Sequence, residues 1–155
     1  MSGLFDTLVR YLEEDTWTYE VHGAGENRRI ALRFEGEHVQ VACWLVVYEE
    51  TERICFISAF PVVVPEDMRP AIAEYLTRAN HGVVMGNFEM DYDDGAIHFR
   101  TSVDVEGIEV TKQFIKNNLL VVNLGTADRY FPGLMKVLYA GMTPADAVAV
   151  TRGVH

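Results

Sequence analysis

Residues 78–100, RANHGVVMGNFEMDYDDGAIHFR, constrain the fold of this chain more than any other stretch. A helical pattern closes at Asn80-His81-Gly82, with Gly82 free to take the left-handed conformation of a helix C-terminal cap. Two segments of period two follow. Phe88, Met90 and Tyr92 alternate with Asn87, Glu89 and Asp91, and Ile97, Phe99, Thr101 and Val103 alternate with His98, Arg100, Ser102 and Asp104. A two-residue turn at Asp94-Gly95, a favoured hairpin type, sets Met90 against Phe99 and Tyr92 against Ile97 on a core face. The same register sets Glu89 against Arg100 and Asp91 against His98 on the polar face, where opposite charges support it. A one-residue slip would expose every apolar side chain of the pair.

The remaining segments extend this into a sheet flanked by helices. Leu4, Phe5, Leu8, Val9 and Leu12 share one helical face, after Ser2 as a candidate N-cap. Strands are expected over 17–22, 29–34, 38–48 and 53–60. In the third of these, Val39, Val41, Cys43, Leu45 and Val47 make one fully apolar face. Its other face carries His38 and Gln40 but also Trp44, Val46 and Tyr48, so an element or a partner is expected to cover it. A helix bears Met68, Ala71, Ile72, Tyr75, Leu76 and Ala79; Asp67 as its cap, after a loose or 3₁₀ turn, accommodates Pro70 in the first turn. Thr111 caps a helix with Phe114, Ile115, Leu119 and Val122, and Gly125 and Pro132 predict a kink or break between Leu124 and Tyr130. Thr143-Pro144-Ala145-Asp146 starts a last short helix. The expected class is α+β: an antiparallel sheet of about five strands with helices packed on one face, in a single domain over 1–155.

Composition narrows the function. No apolar run approaches the ~20 residues of a membrane span, and the first fifteen residues lack the basic and apolar blocks of a secretory signal. The expected compartment is the cytoplasm. Net charge is −10, with acids scattered through turns and helix ends and no Lys/Arg cluster, so nucleic acid is not an expected partner. The acidic polar face of the first helix (Asp6, Glu13, Glu14) argues against a lipid surface. Pairing 42–48 with 53–60 puts Cys43 near Ser58 and Cys55 near Val46, too far apart for a disulfide. Two buried free thiols fit a reducing compartment.

No motif carries chemistry. Asp91-Tyr92-Asp93-Asp94-Gly95 opens like a calcium loop, but Ser102 stands where the bidentate Glu of that loop belongs. His98 near Asp91 has no nucleophile to serve. His22, His38, His81, His98 and His155 show no ligand spacing, so no metal or other cofactor is expected. Gly82-Val83-Val84-Met85-Gly86 follows a helix and precedes a strand, the reverse of a phosphate loop. What remains is aromatic: Trp44 and Tyr48 on the mixed strand face, and Tyr130 and Phe131 at the helical interruption, are the candidate protein-binding residues.

The segment 61–141 resembles the YbjN-like family of small bacterial proteins. The resemblance rests on Val64-Pro65, on Leu76-Thr77-Arg78-Ala79-Asn80, on Gly86-Asn87-Phe88-Glu89, on Asp94-Gly95, and on Asp128-Arg129-Tyr130 with Pro132. It implies a fold similar to type III secretion chaperones, often dimeric, and a label of sensory transduction regulator that names no chemistry. Two functions follow as expectations. One is a non-enzymatic, protein-binding or chaperone-like regulator with a protein client or a second copy as partner. The other is a small-molecule sensor or minor enzyme with a pocket between sheet and helices, using polar groups such as His81, Asn80 or Asn87.

Overall fold

The computed structural model describes residues 3–153, and within them six strands form one antiparallel sheet. They are β1 (Tyr19–His22), β2 (Arg29–Glu35), β3 (Gln40–Tyr48), β4 (Arg53–Val63), β5 (Asn87–Met90) and β6 (Ala96–Asp104), in spatial order β1-β2-β3-β4-β6-β5. Six strands stand where about five were expected, and the short first one pairs fully along β2, from Tyr19 opposite Leu32 to His22 opposite Arg29. The helices are α1 (Leu4–Glu14), α2 (Arg69–Asn80), α3 (Lys112–Ile115), α4 (Val122–Tyr139) and α5 (Pro144–Thr151).

Strand alternation decides which face the helices cover. Ile30 and Leu32, Val41 to Val47 at every second position, Ile54 and Phe56, and Ile97 and Phe99 are buried in one core with Leu8, Ile72, Tyr75, Leu119 and Leu134 of the helical layer. The other face of the sheet has no helix on it among the described residues. Cys43 pairs with Ser58 and Cys55 with Val46, as the spacing requires, and the two thiols sit on opposite faces, free and buried.

Several local expectations need correction. The β5–β6 register is shifted by two residues: Met90 faces Ile97, Glu89 faces His98 and Phe88 faces Phe99. An even shift keeps every side chain on its expected face. The turn is wider because its own acids organise it: Asp91 Oδ1 accepts from Asp93 N at 2.9 Å and Asp94 Oδ1 from Ala96 N at 2.8 Å. Gly95 O also accepts from Val64 N at 2.9 Å, docking the tip before α2, and Tyr92 is left exposed rather than in the core.

The helix ends differ as well. Gly3 occupies the N-cap position of α1, and Ser2 lies outside the described residues. The Glu49 carboxylate, from the β3–β4 turn, accepts from Phe5 N at 2.8 Å and Leu4 N at 3.0 Å. A 3₁₀ turn, Glu66–Met68, precedes α2 and Pro70 sits in its first turn, but the cap position is Met68, not Asp67. Gly82 is not left-handed. The Arg152 guanidinium, donating to Ala79 O at 2.9 Å and Arg78 O at 3.2 Å, covers the end of α2, and a Cβ at Gly82 would collide with it.

The expected break between Leu124 and Tyr130 does not occur; α4 runs through Gly125 and Pro132. The irregularity lies earlier, in a π-helical turn, Lys116–Val121, that joins α3 to α4. Its cause is a buried polar cluster. Thr101 Oγ1 donates to Leu119 O at 2.9 Å, and Asn123 Nδ2 donates to Phe56 O at 3.0 Å, Phe99 O at 3.1 Å and Thr101 Oγ1 at 3.2 Å. Ser58 Oγ donates to Asn123 Oδ1 and lies 3.5 Å from Cys43 Sγ. Burial pushes the Cys43 thiol up to about 11, partly offset by Ser58.

Candidate functional site

The helix-free face of the sheet is the candidate site. Its register rows are Ala31–Trp44–Ile57–Arg100, Arg29–Val46–Cys55–Ser102 and Arg33–Ala42–Ala59–His98. Ala31, Ala42, Ala59 and Cys55 surround Trp44, Val46 and Ile57, with Arg29 beside Val46 and Arg100 beside Ile57, so a narrow apolar middle with the indole as its bulk is bordered by charge. Trp44 is half-buried. The Arg29 guanidinium stacks 4.4 Å from its ring centroid and the His22 ring meets it edge-on at 5.4 Å. Tyr48 is exposed at the end of β3, opposite Arg53, whose Nε is 3.2 Å from Asp104 Oδ2. The backbone N–H of Glu106, then Arg53, hold the Asp104 carboxyl below its ordinary range.

Toward β5 the face becomes charged. Arg100 Nη2 is 2.7 Å from Glu89 Oε1, and that hydrogen bond raises the guanidinium's pKa. Arg100 Nη1 lies 3.3 Å from Cys55 Sγ and roofs it. Burial raises the Cys55 thiol, and the neighbouring Arg100 charge opposes that rise. His98 Nδ1 is 3.9 Å from Glu89, so its neighbour is Glu89 and not Asp91. This arrangement presents apolar area, an aromatic anchor and a charged margin; it suits binding by contact.

The other aromatic candidates lie on the helical side of the sheet, away from this face. Tyr130 is 3% exposed and accepts from Arg152 Nε through its hydroxyl at 3.1 Å, while its carbonyl accepts from Tyr75 Oη at 2.7 Å. Phe131 is half-buried and stacks on Phe60 at 5.8 Å. Both look interrupted in sequence because Pro132 follows them, yet α4 continues, burying Tyr130 and packing a half-buried Phe131 against the core.

Two placements were illegible in the sequence. Glu37, His38 and Asp128 bring one ligand-type atom each within 4.8 Å of one another, across 90 residues. Asp128 Oδ1 already accepts from His38 N at 2.8 Å and Val39 N at 3.2 Å, which makes it the clamp of the β2–β3 turn. The second is a cavity of about 610 Å³ on the helical side of the sheet, with Lys112 and Lys116 at its mouth. The polar groups expected around a pocket sit elsewhere: Asn80 Oδ1 accepts from Phe88 N at 2.7 Å and its Nδ2 donates to Phe88 O at 3.1 Å. Asn80 thereby pairs with the outward backbone of the edge strand β5.

The residues behind the resemblance are thus fold-forming: Asn80 covers the β5 edge, Gly95 seats the hairpin tip, and Asp128 clamps a turn. Residues 5–135 match the model of the YbjN family, described as "Putative bacterial sensory transduction regulator". The chain belongs to the YbjN family. A solved YbjN structure from E. coli, titled "a putative transcription regulator", is similar in fold, with a TM-score of 0.52 and 14% identity over 81% of this chain and 94% of that one. A search of curated proteins finds no match.

Proposed function

We propose that this YbjN-family protein is a non-enzymatic, cytoplasmic regulator that acts by binding protein through the helix-free face of its sheet, a second copy of the chain being its first partner. The observation that carries this reading is the uncovered row Ala31–Trp44–Ile57, apolar at its centre, with Arg29 and Arg33 toward one side and Glu89 toward the other. A two-fold axis along the strands would set the β2 side of one copy over the β5 side of the other, an isologous contact with the apolar row at its centre. The family description as a regulator favours a binding role. For the compartment, no helix among the described residues is long and apolar enough to cross a membrane, and the two buried thiols are free.

Trp44 is the anchor in this reading. Trp44→Ala removes about 2 kcal/mol or more of association energy, roughly thirtyfold in Kd. Sedimentation velocity over a dilution series reads that shift directly. An unchanged self-association constant for a folded Trp44→Ala protein overturns the role given to this face.

A further inference from the structure

On the opposite, helical side of the sheet, the cavity of about 610 Å³ opens between α1, the β2–β3 end of the sheet and the run from α3 into α4. Its size falls in the range of small-molecule sites, roughly 300–1,000 Å³. Its walls are apolar, among them Leu12, Trp17, Phe34, Leu120 and Leu124. Asp15, Lys112 and Lys116 stand at the mouth.

The two lysines differ. Lys112 Nζ is 3.1 Å from Asp15 Oδ1 and 3.3 Å from Glu14 Oε2, so its charge is balanced. Those two hydrogen bonds, Asp15 first, raise its pKa. Lys116, one helical turn on, is exposed and has no ion-pair partner among the described residues. The π turn lines up residues five apart, so Lys116 and Val121 both reach the cavity together with Leu120.

The geometry points to a binding site for a single-chain aliphatic carboxylate, its tail among Leu12, Trp17, Phe34 and Leu124 and its head on Lys116 Nζ. Charge sets the class. Lys112 is taken up by two acids and Lys116 is the cation left without a contact among the described residues, so a single negative charge pairs with Lys116; Glu14 and Asp15 at the same mouth oppose a dianion, and Lys116 opposes a cationic head. The cavity lies across the sheet from Trp44, so this site and the proposed protein-binding face stand or fall separately.

Isothermal titration calorimetry on the full chain tests it with three probes below their micelle concentrations: decanoate, decyltrimethylammonium with the same tail, and butanoate with the same head. Decanoate gives a saturable one-to-one isotherm, and each of the other two binds at least about tenfold more weakly. Lys116→Glu, at an exposed and unpaired position, weakens decanoate about tenfold and leaves the melting temperature unchanged. No saturable decanoate binding overturns the site. Equal binding of the cationic probe, or indifference to Lys116→Glu, also overturns it and marks the groove as an apolar docking surface without a head-group subsite.

Discussion

Asn123 shows what one residue does in this fold. Fully buried in a helix, it bonds backbone carbonyls of two strands and two hydroxyl side chains at once. Asn123→Leu strands those partners in a dry core and is expected to destabilise by about 2–4 kcal/mol. A urea midpoint measures this, and adding Ser58→Ala restores part of the loss by removing one orphaned group. Gly125 behaves oppositely. It lies inside α4, and a Cβ there meets open space, so Gly125→Ala stabilises by about 0.5–1 kcal/mol. Cys43 adds a pH dependence. Its thiol moves from 9.0 to about 11 on folding, and burial raises the Tyr75 hydroxyl too. The unfolded chain therefore loses these protons first as pH rises. The Cys43 stabilisation is complete below pH 9.0 and is lost on the way to about 11, whereas that of Tyr75 begins to fall only above 10.0. Melting temperatures across that window fall, and Cys43→Ala flattens the slope; a Cys43→Ala slope equal to the wild-type one contradicts the assignment.

Among elements, β5 depends on a side chain outside the sheet. Asn80→Ala leaves the Phe88 N–H without its partner and the Phe88 carbonyl with only the longer bond from Asn87 Nδ2, so amide exchange at Phe88 accelerates and stability falls by about 1–2 kcal/mol. Unchanged protection at Phe88 contradicts the edge-covering role. The elements themselves were largely legible because burial follows the period of each segment: β2, β3 and the Thr111 and Thr143 caps lie close to where the alternation and cap chemistry put them, while β4 runs on through Pro61 to Val63. What failed was governed by distant contacts. The tip of the β5–β6 turn, organised by its own acids, docks on Val64, the end of α2 is closed by Arg152, and the π turn packs on Thr101 and Asn123. Periodicity carries no information about any of these partners. For the same reason Tyr130 and Phe131 read as a surface patch: Gly125 and Pro132 signal a break that core packing on both sides of Pro132 overrides.

At the scale of the whole molecule, the fold puts all its helices on one face and leaves the other to Trp44, Val46 and Ile57. The mixed composition of β3 announced that face in the sequence, while the cavity with Lys116 at its mouth required the chain to be folded. A net charge of −10 favours solubility in a chain with such an apolar centre. Absolute molar mass by light scattering after size exclusion, over a concentration series, tests the central claim most directly. The account predicts a species of twice 17.5 kDa at high concentration that dissociates on dilution. A mass of 17.5 kDa at every concentration contradicts self-association through the sheet face.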